Sequence, residues 1–192
     1  MRSAPIVRLV ALLPALLLLS CVVETDRDRY AAGDMGTAFF HNLLSTTAYL
    51  PGCSPYAFQR FAGGGWRDRG PGVVCVWEGF AHPVEPGESV RIEFRAPDEP
   101  GLWRLRVDVG LGCSPDAPLS AEACSRLFVA DSEPFEVQAL CEPRECGPML
   151  GMPNILCSDG ESVAGPTDRC LRDPETGACG WEVTRCPEDA PR

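Results

Sequence analysis

Residues 89–95 alternate strictly between apolar and polar positions: Val90, Ile92 and Phe94 take one side, Arg91, Glu93 and Arg95 the other. Successive side chains of a strand point to opposite faces, so this pattern predicts a strand buried on one face only. The pattern returns at Trp103, Leu105, Val107 and Val109, interleaved with Arg104, Arg106 and Asp108. Turn sequences precede both runs, "EPGE" at 85–88 and "DEPG" at 98–101, where proline presets the dihedral angle and glycine supplies the reversal. Shorter apolar runs predict further strands at 36–43, 56–61, 73–78 and 135–137. After Ser20 no segment sustains a helical period. About six or seven short strands at this spacing predict an all-β sandwich.

The first twenty residues carry a different pattern. Arg2 and Arg8 are their only charges, and an apolar run from Leu9 to Leu19, broken only by Pro14, follows. It is too short for a transmembrane helix, which needs roughly 20 apolar residues, and suits the hydrophobic region of an export signal. The segment Leu18-Leu19-Ser20-Cys21 resembles the lipobox of bacterial lipoproteins. That resemblance implies cleavage before Cys21, a diacylglyceryl thioether on its sulfur and acylation of its new amino group. Two or more acyl chains anchor a protein stably where one does so only marginally. The membrane is then a partner through Cys21. Val22, in place of the aspartate that retains lipoproteins at the inner membrane of well-studied bacteria, points to the outer membrane. Residues 21–29 read as a lipidated tether, with charges and no apolar period.

Composition sharpens this picture. The chain has 11 cysteines, so at least one cannot pair within the molecule. Spending Cys21 on lipid leaves an even number. Six of the remainder fall after residue 140, dense enough to read 140–192 as a small disulfide scaffold following a sandwich over 30–139. The net charge of −10 argues against nucleic acid and against attraction to anionic lipid.

In the sandwich region Cys53 and Cys75 bracket a glycine-rich, hairpin-like excursion, and Cys113 and Cys124 bracket "SPDAPLSAEA". Local pairing within each couple is expected because each brackets one excursion. Cys141, Cys146, Cys157, Cys170, Cys179 and Cys186 leave their connectivity open. A metal site is not expected, since no Cys-x-x-Cys occurs and the compartment is oxidising.

"YAAGD" (30–34), "FFHN" (39–42), "VEPGESVRIEF" (84–94), "EPGLWRLRV" (99–107) and "SEPFEV" (132–137) together resemble a bacterial immunoglobulin-like domain of secreted lipoproteins. Trp103 stands where that family has a tyrosine whose hydroxyl ties the strand to a loop, so the tie is either lost or replaced by an indole N–H. The last segment, with "CGPMLGMPNILCSDG", "AGPTDRCLR" and "GACGWEVTRC", resembles a small cysteine-rich module at the ends of secreted proteins of predatory and soil bacteria. So short a segment has little core and is expected to hold little regular structure, and three disulfides around Trp181 would supply its stability.

No catalytic motif is present. His41 lies in a predicted strand and His82 precedes a proline; Gly63–Gly65 lacks the Lys-Ser/Thr of a phosphate loop. No catalytic residue, cofactor or metal is expected. The function expected is a membrane-anchored binding or structural module at the cell envelope, with a protein or glycan as ligand of the sandwich. The alternative is an inhibitor of extracellular proteases that presents Met149 or Leu150 from the loop between Cys146 and Cys157.

Overall fold

A computed structural model of the chain describes residues 21–149, 151 and 153–187. The expected signal segment and the inhibitor position Leu150 lie outside the described residues. The strands in chain order are β1 (Cys21–Thr25), β2 (Arg29–Ala31), β3 (Met35–Asn42), β4 (Ala48–Leu50), β5 (Ala57–Ala62), β6 (Gly65–Pro71) and β7 (His82–Val84). They continue with β8 (Ser89–Arg95), β9 (Gly101–Cys113), β10 (Cys124–Asp131), β11 (Phe135–Gln138), β12 (Ile155–Leu156), β13 (Val163–Arg172) and β14 (Cys179–Thr184). Among the described residues one short helix, α1 (Pro143–Cys146), stands between β11 and β12.

The fold is all-β, a sandwich followed by a disulfide-rich region. One sheet has the order β1-β3-β8, and the facing sheet runs β2-β11-β9-β4-β7. The long strand β9 organises the second sheet: β10 and β11 pair with it, as do β4 and β5, and β6 extends the β5 edge. The alternation in β8 and β9 puts Ile92, Phe94, Trp103, Leu105, Val107 and Val109 into the space between the sheets. Tyr30, Phe94 and Phe135 meet edge-on or tilted at its centre, with ring centroids 5.2 to 5.7 Å apart. Such aromatic packing concentrates apolar burial in few residues. The Trp103 indole N–H ties its strand to the preceding turn: Nε1 donates to the Glu99 carbonyl at 3.0 Å.

Three expectations need correction. Residues 21–29 are not a free tether; β1 pairs antiparallel with β3 from Cys21 opposite Asn42 to Thr25 opposite Ala38, and Val23 is buried in the core. Residues 73–78 form no strand, and their place beside β5 is taken by β6, whose charges Arg67, Asp68 and Arg69 concealed it. The hairpin β5–β6 turns at Gly63 and Gly64, both at positive φ.

The terminal region is also more regular than expected, with β12, β13 and β14 forming an antiparallel sheet. Its buried positions are Cys157, Cys170, Leu171 and Cys186, while Trp181 is half-buried at the side and donates Nε1 to the Gly147 carbonyl at 3.0 Å. Sulfur, rather than the indole, fills the interior. This region touches the sandwich directly. Arg169 Nη1 donates to both oxygens of Asp34 at 2.6 and 2.7 Å, and the Arg172 N–H donates to the Ala139 carbonyl at 2.9 Å.

Candidate binding cleft

The outer face of the second sheet carries a cleft of about 580 Å³. Its floor is Asp108 of β9 with Leu127 and Val129 of β10, side by side because Asp108 pairs with Val129 in the ladder. Pro51, Val73, Cys75 and Glu78 form one wall, and Leu119 closes the end. Both walls are excursions from the sheet closed by a disulfide, Cys53–Cys75 for one and Cys113–Cys124 for the other.

Glycine permits both walls to approach so closely. A Cβ at Gly52 would stand 2.2 Å from the Phe80 carbonyl oxygen, and one at Gly110 would stand 2.6 Å from Leu119 Cδ1. The two walls are also tied to each other, since the Ala81 N–H donates to the Ala117 carbonyl at 2.9 Å. Beside the cleft a polar row braces the sheet face. Gln59 donates to Asp68 at 2.6 Å and accepts from Arg104 Nε at 2.8 Å, while Arg104 Nη2 reaches Asp131 at 2.8 Å.

The segment 72–80 beside the cleft carries a run of exposed apolar side chains. Val74 is 89% exposed, and Val76, Trp77 and Phe80 are exposed beside it. Trp77 and Phe80 hold one another edge-on at 5.1 Å. The two carboxylates of the cleft, Asp108 and Glu78, are both exposed and have no ion pair or hydrogen bond among the described residues. The apolar run 73–78 was readable in the sequence. Its exposure was not, and the joining of Asp108, Leu119 and Leu127 to it was invisible.

Cys21 occupies a separate place. It is the free cysteine, 9% exposed, facing inward at the start of β1. Its Sγ is 3.9 Å from Asn42 Oδ1, and burial pushes the thiol from the ordinary 9.0 up to about 11. Asn42 does not depend on it: Nδ2 donates to the Thr46 and Val84 carbonyls at 2.9 and 2.8 Å, and Oδ1 accepts the Leu44 N–H at 3.0 Å.

The remaining cysteines pair Cys141–Cys179, Cys146–Cys170 and Cys157–Cys186. Glu145 lies close to Cys141 and Cys179, but both sulfurs are bonded to each other and hold no thiolate for a metal. Cys146 and Cys157 are bonded to different partners, so the loop between them is anchored at each end. His41 sits 2.6 Å from Ser89 Oγ, and His82 is exposed in β7; neither faces the cleft. No protein-family model matches this chain, and no curated protein matches it.

Proposed function

We propose that this chain is a lipoprotein of the bacterial outer membrane, anchored through Cys21, whose sandwich binds a partner at the walled cleft and catalyses no reaction. The observation that carries the binding reading is the exposed apolar wall 72–80, held in place by Cys53–Cys75 beside an open cleft. Contiguous exposed apolar surface marks interaction sites. The anchoring reading rests on the lipobox-like Leu18-Leu19-Ser20-Cys21 and on the odd cysteine left by five disulfides. Disulfides at this density suit an oxidising compartment.

Lipid on Cys21 has a structural consequence. A diacylglyceryl thioether cannot occupy the space between the sheets, so Cys21 and Val22 must leave β3 when the sulfur is modified. That release leaves Asn42 with its three other hydrogen bonds, and Val23 stays in the core. The Asp26 N–H, bonded to the Thr37 carbonyl at 2.8 Å, marks where the strand remains held. A second reading follows from the same burial: an exported but unlipidated chain whose Cys21 is an ordinary core thiol of β1.

Intact-mass spectrometry of the protein extracted from bacterial membranes separates the two. The mass of the chain from Cys21 onward with added acyl groups supports anchoring. A mass without lipid, with one thiol titratable only after denaturation, refutes it and leaves the core-thiol reading.

A further inference from the structure

We propose that the cleft docks a protein partner through an exposed segment in which lysine or arginine is flanked by branched aliphatic side chains. The inference rests on reading the sandwich as a binding module and adds the chemistry of what it binds. Three features of the cleft specify that chemistry.

The first is apolar surface in a fixed shape. Val73 on one wall and Leu127 and Val129 on the floor are exposed and line the cleft with Pro51, Pro71, Leu119 and Phe128, while Val74, Val76 and Trp77 extend the apolar surface outside it. The disulfide at Cys75, the backbone contact of Gly52 with Phe80 and the Ala81–Ala117 hydrogen bond hold the wall before any partner arrives. Surface ordered in advance loses little entropy on binding.

The second is charge. Asp108 and Glu78 stand in the cleft without a cationic partner among the described residues, and no basic side chain lines it. Carboxylates beside apolar walls favour an incoming cation, and more so as water is displaced.

The third separates this partner from the other occupants. A second copy of the chain would bring the same carboxylates and a net charge of −10. An anionic bilayer would meet Glu78 and Asp108 with like charge. The chain's own terminal region is engaged elsewhere, through Arg169 on Asp34 and the Arg172 N–H on the Ala139 carbonyl. A basic, aliphatic protein segment satisfies both the charge and the apolar surface.

The test is a titration of the oxidised, ¹⁵N-labelled full chain followed by NMR. Its probes are three capped peptides, Leu-Arg-Val-Arg-Leu, Leu-Ser-Val-Ser-Leu and Leu-Glu-Val-Glu-Leu, and vesicles of phosphatidylcholine with phosphatidylglycerol. The arginine peptide is expected to shift, saturably, amides of residues 73–80, 108–110 and 127–129. The serine peptide and the double variant Asp108→Asn, Glu78→Gln should each bind roughly tenfold more weakly, the size expected when two ion pairs at a partly desolvated site are lost. The glutamate peptide should leave those amides unmoved. Equal saturation by the arginine and serine peptides overturns the ionic part of the inference while the binding face survives. Saturation by vesicles alone replaces the protein partner with a membrane and overturns it too. If neither peptides nor vesicles move any amide of the cleft, both the inference and the binding-module reading fall.

Discussion

Replacing Gly110 with alanine tests whether the end wall of the cleft sits where the structure puts it. Gly110 lies in β9 opposite Leu127 of β10, under the excursion closed by Cys113–Cys124. A Cβ there would stand 2.4 Å from Cys113 Sγ, 2.6 Å from Leu119 Cδ1 and 2.9 Å from Cys124 Sγ. Non-bonded carbon contacts are comfortable at about 3.5–4.0 Å, so every one of these atoms must retreat. Leu119 can swing away, but the two sulfurs are bonded to each other and their residues are paired in the β9–β10 ladder. Overpacking of this kind costs about 1–3 kcal/mol. The φ of Gly110 lies outside the left-handed region, so alanine recovers about 0.4–1 kcal/mol by restricting the unfolded chain. A net loss of up to about 2.6 kcal/mol remains, which lowers the melting temperature of a chain this size by up to about 10 °C and separates it from a control that gains the same unfolded-state term without overpacking. Gly65 is the matched control, because a Cβ there meets nothing within 4 Å. Thermal unfolding of oxidised wild type, Gly110→Ala and Gly65→Ala by circular dichroism reads the difference. If Gly110→Ala and Gly65→Ala melt together, Leu119 and the disulfide do not press on β9 and the end wall is misplaced.

Other outcomes follow from separate parts of the molecule. In unlipidated protein the Cys21 thiol, raised by burial to about 11, favours the neutral form in the fold. It contributes stability that is whole below the unfolded value near 9 and is lost as pH rises towards 11, so iodoacetamide at pH 8 should label Cys21 far more slowly than in denaturant; equal rates would mean an exposed thiol. Asp26 is opposed by desolvation but held below its ordinary value by hydrogen bonds from Tyr30 Oη at 2.6 Å and the Thr37 N–H at 2.9 Å. Its contribution is present above pH ~4 and is lost as pH falls through the lowered value, so Asp26→Asn should flatten the acid limb of stability against pH. Arg169→Gln removes the charged clasp on Asp34 and should cost about 1.5–3 kcal/mol where β13 meets the sandwich. Hydrogen exchange at Leu171 and Arg172 should rise, and unchanged protection there would show that the backbone contacts suffice. Full reduction should remove the dispersed indole signal of Trp181, because three bridges of about 2–4 kcal/mol each exceed the net stability of so small a region. A signal that persists with all thiols titratable would point to another source of order.

Alternation alone located β8 and β9, since a strand with one buried face must repeat every two residues and both strands bury that face along nearly their whole length. Cysteine density located the disulfide-rich region, because a segment too short to bury a core relies on crosslinks for its stability. Neither kind of signal carries information about partners far away in the chain. β1 looked like a tether because five residues, one of them acidic, bury only Cys21 and Val23, and the other half of that contact comes from β3 and from Ser132, far along the chain. β6 was hidden because it adds to the outer edge of β5 and points its charges at water. Residues 73–78 misled in the opposite direction: an apolar run predicts burial, but Cys53–Cys75 holds this one outside the sheet. The cleft shows the limit most plainly. Glu78, Asp108, Leu119 and Val129 come together only because β9 pairs with β10 on one side while two disulfide-closed excursions fold back over its outer face, and that pairing is a property of the packed sheets rather than of any one segment.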